Sequence, residues 1–227
     1  MKRRSITLAI CILAVLALAS IGFASWIISN PEASGHDEGS IWVDDVTSQV
    51  YDVTATLSNE TIQYGVPTGY SPKPTDWLTN NSGKFDSLET ILTVVIKPED
   101  GADVDATLNA AALGVTLTGV KGDTEYDTAE LNNLFTDAGL AAPVMTIKSG
   151  EEWVEFDGTI NYTDLVVDAT SGTAQIKITF SWGTNGNPYT YYNGTGHSYA
   201  QDREEAEEFL AAVYAALYEL SYKVTIK

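Results

Sequence analysis

Residues 87–97 read SLETILTVVIK, the strongest strand signal in the chain. The run is dense in β-branched and aliphatic side chains, which suit a pleated, half-buried surface. Strand-like text of the same kind lies on both sides of it. Upstream, residues 41–57, IWVDDVTSQVYDVTATL, alternate in short β-branched stretches. Between the two, residues 65–83 carry Pro67, Pro72 and Pro74 and read as loop. Downstream, strands are expected at residues 104–108 and 113–120, with Ala110, Ala111 and Ala112 able to extend a helical turn. Further strands are expected at 144–148, at 153–162 with a break near Gly158, at 174–182 and finally at 222–226.

Two helices interrupt this pattern. Residues 127–139 bring Leu131, Leu134 and Phe135 onto one face, with Asp127 or Thr128 as cap and Gly139 as stop. Residues 201–220 repeat Ala206, Phe209, Leu210, Val213, Leu217 and Leu220 at helical spacing. Asp202, Glu204 and Glu205 stand at its start, where the helix dipole favours anions. Phe209 and Leu217 are expected to be buried against the sheet. The sum is a mainly β protein, a jelly-roll-like β-sandwich with two inserted helices, in one folded domain over residues 41–227.

An N-terminal helix precedes that domain. Lys2, Arg3 and Arg4 are followed by 23 uncharged residues, ITLAICILAVLALASIGFASWII. A basic start and an apolar stretch make a secretory signal, with cleavage expected near Ala19 or Ala24. The stretch is also long enough to span a bilayer, so residues 1–28 serve as signal peptide or membrane anchor. Either way the basic end stays in the cytoplasm and the remainder lies outside it, secreted or on the cell surface. Cys11 sits inside the apolar run, which continues past it, and Ile10 is too large for lipoprotein cleavage. The chain beyond therefore has no cysteine for a disulfide or a thiolate metal site. Residues 29–40, SNPEASGHDEGS, read as a linker.

Three of the 12 basic residues lie in the signal, which has no acid. The rest holds nine bases against 31 acids, a net charge of −22. Such a surface repels nucleic acid and anionic lipid, so contact with a membrane is expected only through the N-terminal segment.

The stretch Ala19-Ser20-Ile21-Gly22-Phe23-Ala24-Ser25-Trp26 resembles SipW-type signal peptides, which precede the TasA/camelysin group of exported matrix-fibre proteins. Looser similarity lies in Gly39-Ser40-Ile41-Trp42-Val43-Asp44-Asp45-Val46, and in Phe180-Ser181-Trp182-Gly183 with Asn187-Pro188. The resemblance implies a jelly-roll domain at the cell surface or in the extracellular matrix of a biofilm, with fibre assembly among its roles. Camelysins are classed as metallopeptidases, but no HExxH run stands here to carry that activity over.

Two sites are candidates for binding. Glu99, Asp100, Asp103 and Asp105 place closely spaced carboxylates in a turn, the donor type that calcium takes. The pattern departs from an EF-hand loop, and an acidic turn connecting strands is the plainer alternative. No other cofactor is indicated. Trp182, Tyr189, Tyr191, Tyr192 and Tyr199 lie in a Gly- and Asn-rich loop, where ring faces could stack on sugars or on a partner. The plainer alternative is that these rings pack the loop onto the sandwich. His36 and His197 are the only histidines, and no G-x-S-x-G elbow is present, so no catalytic residues are assigned. The expected function is binding or self-assembly at the cell surface or in the matrix, with partners that are further copies or surface components. A carbohydrate-binding module is the alternative, and an extracellular hydrolase is the third reading.

Overall fold

The computed structural model describes residues 39–46, 51–62, 64, 87–98, 103–184, 186, 191, 196 and 202–227. The expected signal and nearly all of the expected linker lie outside them. The described strands are β1 (Ile41–Val46), β2 (Tyr51–Leu57), β3 (Ser87–Pro98), β4 (Ala112–Lys121), β5 (Thr124–Tyr126) and β6 (Val144–Ser149). They continue with β7 (Glu152–Glu155), β8 (Thr159–Asn161), β9 (Val166–Val167), β10 (Gly172–Ser181) and β11 (Leu220–Ile226). The helices are α1 (Val104–Leu108), α2 (Thr128–Asp137) and α3 (Arg203–Leu217).

The strands form two sheets. One runs β1-β11-β4-β5, with β8 also on β4; the other runs β2-β3-β10-β6-β7, with β9 also on β10. The central strand β10 shows why they pack. Its residues alternate strictly, with Ala174, Ile176, Ile178 and Phe180 buried and Thr173, Gln175, Lys177 and Thr179 on the other side. A strand with one apolar row must cover it. The cover is the inner row of the first sheet, Leu113, Val115 and Leu117 of β4 with Tyr222, Val224 and Ile226 of β11. Phe180 and Tyr222 meet across the gap with ring centroids 4.8 Å apart. The mainly β sandwich expected from the sequence is therefore the fold.

The first and last strands of the domain are neighbours. β1 runs parallel to β11, pairing Ile41 with Tyr222 and Val43 with Val224, and the register shifts between Val43 and Val46. Gly39 donates its N–H to the Leu220 carbonyl (2.8 Å), and Ser40 bridges Thr61. The last two residues of the expected linker are thus hydrogen-bonded into the fold. On the other side of β1, the Ile41 N–H reaches the Glu60 carbonyl at 3.0 Å.

The helices close the two ends of the sandwich. α2 starts with a reciprocal cap: Glu130 N–H donates to Asp127 Oδ1 (2.9 Å), and Asp127 N–H to Glu130 Oε2 (3.0 Å). Thr128 is not the cap; its hydroxyl donates to the Leu117 carbonyl. Leu131 and Phe135 are fully buried and fill one end of the core. α3 lies beside α2 and buries Leu210, Val213 and Leu217. Phe209 is only half-buried, short of the full burial expected from its spacing. It lies across the α2 stop at Gly139 (φ +80), where a Cβ would come within 3.0 Å of the ring. The last carbonyls of α3 are capped by Lys121 Nζ, 2.7 Å from the Ala215 oxygen.

At the opposite end, residues 104–108 correct the sequence reading: they form a helix, not a strand. The cause is local. Asp103 accepts the Ala106 N–H at 3.0 Å, satisfying a free donor of the first turn. The turn aims Leu108 into the core, where it packs with Leu165 over Gly172. The break near Gly158 (φ +94) falls between β7 and β8, as expected.

Candidate functional site

The aromatic loop begins where β10 leaves the sheet. Trp182 is 5% exposed, and its ring stands edge-on to Tyr64 (centroids 5.0 Å apart) and near Phe209 (6.3 Å). Tyr64 is itself buried and donates its hydroxyl to the Ser181 carbonyl at 3.3 Å. Burial holds that phenol well above its ordinary pKa, with the Tyr222 hydroxyl group adding to the shift, so it stays neutral. Phe135 joins the group 6.2 Å from both Tyr64 and Tyr222. The cluster seals the end of the sandwich under α2 and α3.

This packing fixes the path of the chain after Trp182. A Cβ at Gly183 would lie 1.7 Å from the Gly139 carbonyl oxygen, closer than any side chain allows. Trp182 thus faces the protein interior. Tyr191 is half-buried, while Tyr189, Tyr192 and Tyr199 lie outside the described residues, as do His36 and His197. The sequence pattern singled out Trp182, but not Tyr64, which borders a proline-rich stretch without periodicity.

Of the carboxylates proposed for calcium, Asp103 and Asp105 are described, and Glu99 and Asp100 lie outside. Asp103 is the cap of α1. Asp105 accepts the Tyr162 hydroxyl at 3.1 Å, and that bond, with the aspartate charge, raises the tyrosine pKa. Both side chains are exposed. Among the described residues, no three His, Cys, Asp or Glu side chains gather as a metal site. No described helix is long and apolar enough to cross a membrane.

The outer faces of the sheets carry features that motifs could not announce. On the first sheet, Lys223 of β11 lies between Glu125 of β5, which it hydrogen-bonds, and Asp44 of β1, 3.5 Å away. Burial works against the Lys223 charge, but Glu125 and then Asp44 outweigh it and raise the pKa above 10.5. On the second sheet, Lys177 lies 3.8 Å from Glu89 and 4.9 Å above the Trp153 ring centroid. Period-two alternation would have put these side chains on outer faces, but only strand register makes them neighbours.

Comparison with known proteins adds no relative: no family model, no curated protein and no solved structure matches the chain.

Proposed function

We propose that this chain is an exported cell-surface or extracellular-matrix protein that works by binding or self-assembly, fibre formation included. The observation that carries the reading is the place of β1. It ends the strand order of its sheet and, among the described residues, is bridged on its outer side only at its start, by residues 60–62. The expected 29–40 linker joins it to the N-terminal segment with the features of an export signal. A strand next to a tether can pair within its own sheet or along an edge of a neighbouring copy. The charge of −22 opposes close approach of copies, and salt or calcium would lift that opposition.

The exported protein should therefore be monomeric at low salt and should assemble as salt or calcium rises. Light scattering and negative-stain microscopy across both series test this. A protein that remains monomeric throughout overturns the assembly reading. The carbohydrate-binding alternative gains no support from Trp182, whose ring is buried among Tyr64 and Phe209.

A further inference from the structure

We infer that copies of this chain meet through the outer face of the β2-β3-β10-β6-β7 sheet, an inference that rests on the self-assembly reading above. Strand register defines the face. Opposite the buried row of β10, it lays out Ile91 and Val95 of β3, Val144 of β6 and Val166 of β9. Val144 is 54% exposed and Val166 77%, opposite Thr179 and Thr173 of β10 at the two ends of the face. Exposed threonines of β2, Thr54 and Thr56, continue the face beside Val95 and Thr93. Among the described helices, α1 meets this sheet from the other side, where Leu108 packs over Gly172 of the buried row.

Charge decides the occupant. The same face bears Lys97, Lys148 and Lys177, a third of the nine basic residues beyond the signal. They are matched by three acids, Asp52, Glu89 and Glu155. Asp52 stands opposite Lys97 in register, Lys177 is ion-paired with Glu89, and Glu155 lies opposite Thr146, the residue beside Lys177. Asp168, two residues after Val166 on the same side, adds one more acid, so the face is close to neutral on a body of net charge −22. Two copies turned face to face place alternating lysines and acids against each other, without the net repulsion of acidic surfaces. A two-fold arrangement makes such a patch complementary to itself. The other sheet's outer face is balanced as well, with Lys223 and Lys227 of that row against Asp44 and Glu125, so the exposed Val144 and Val166 are what single out this face.

Size sets the strength. Strands about 4.8 Å apart and about 3.3 Å per residue give a face of roughly 650 Å². A stable interface takes about 800 Å² per partner. Pairing through this face alone is therefore weak, and it becomes populated as concentration and ionic screening rise.

The test is sedimentation velocity of the exported protein from low to high salt, with Val144→Lys and Val166→Lys as face variants. Thr116→Lys, exposed on β4 of the other sheet, is the control. All three side chains are exposed, and matching melting curves verify the folds. Each lysine lowers the overall negative charge, so general electrostatics would favour association in every variant. The inference expects the two face variants to need at least tenfold more protein for half-association, with the control associating at least as readily as the parent. Face variants that associate like the parent, or a control impaired equally, overturn it and leave the assembly reading intact. A parent protein that stays monomeric at every salt concentration overturns both.

Discussion

Gly183 is the position where the fold tolerates least. Its Cα lies against the Gly139 carbonyl, and an added methyl at 1.7 Å has no space unless the backbone moves. Gly183→Ala should destabilise by about 1–3 kcal/mol or more, the range for overpacked sites. Gly114→Ala is the matched control, since its Cβ would meet only the Lys227 carbonyl at an ordinary 3.6 Å. Thermal melts of the two variants decide; similar melting temperatures would contradict the close packing at Gly183. Asp168 makes a second single-residue prediction. Its carboxylate accepts the Thr170 N–H and hydroxyl and the Ser171 N–H, and these bonds hold its pKa below 3.8. A lowered native pKa stabilises the fold above the unfolded value and loses that effect as pH falls through the native one. Asp168→Asn should therefore melt lower than the parent at pH 6, and the gap should close below about pH 3.8. A gap independent of pH would remove the charge from the explanation.

Helix α3 shows how far periodicity carries. Its spacing marks an apolar face, and Leu210, Val213 and Leu217 are buried on it. Phe209 shares the repeat but sits at the margin of that face, over Gly139. Spacing gives the direction of a side chain around the helix axis; how deep it lies depends on what the helix is laid against. Leu210→Ala should cost about 2–5 kcal/mol, and Phe209→Ala less than the roughly 3–5 kcal/mol of a buried phenylalanine. Chemical denaturation measures both, and a larger loss at Phe209 would reverse the assignment. The short helix α1 teaches the converse. Val104 to Leu108 has the composition of a strand, yet one cap from Asp103 and a slot for Leu108 make it a helix. Over five residues, propensity is too small to decide between the two.

Across the full domain, an acidic charge surrounds a cysteine-free core, which must hold by packing alone. Self-repulsion opposes the compact state, and counter-ions screen it. The melting temperature should thus rise from low to moderate sodium chloride before association sets in. Differential scanning calorimetry at a concentration where the protein is monomeric tests this; a flat or falling trend would mean that favourable ion pairs such as Lys223 with Glu125 outweigh the repulsion.

Most of the strand pattern, both long helices, the cap and stop of α2 and the mainly β class were legible in the residues, because alternation and capping are local. The end of α3 was not, since the helix stops at Leu217, and Leu220, expected on its apolar face, opens β11. The acidic character was equally plain from counting. The N-terminal stretch reads as an export signal by the same kind of local evidence. The partners of those strands were not legible. Parallel pairing of β1 with β11 joins residues some 180 positions apart, and no local pattern encodes which edge a strand will choose. The same holds for the candidate sites. The plainer reading of the loop aromatics had them packing onto the sandwich, and Trp182 does so, but nothing in the loop named Tyr64 as its partner. The scattered lysines gave no sign that three would share one face. Both outcomes depend on strand register and on the close approach of Gly183 to Gly139, which exist only once the two sheets have packed.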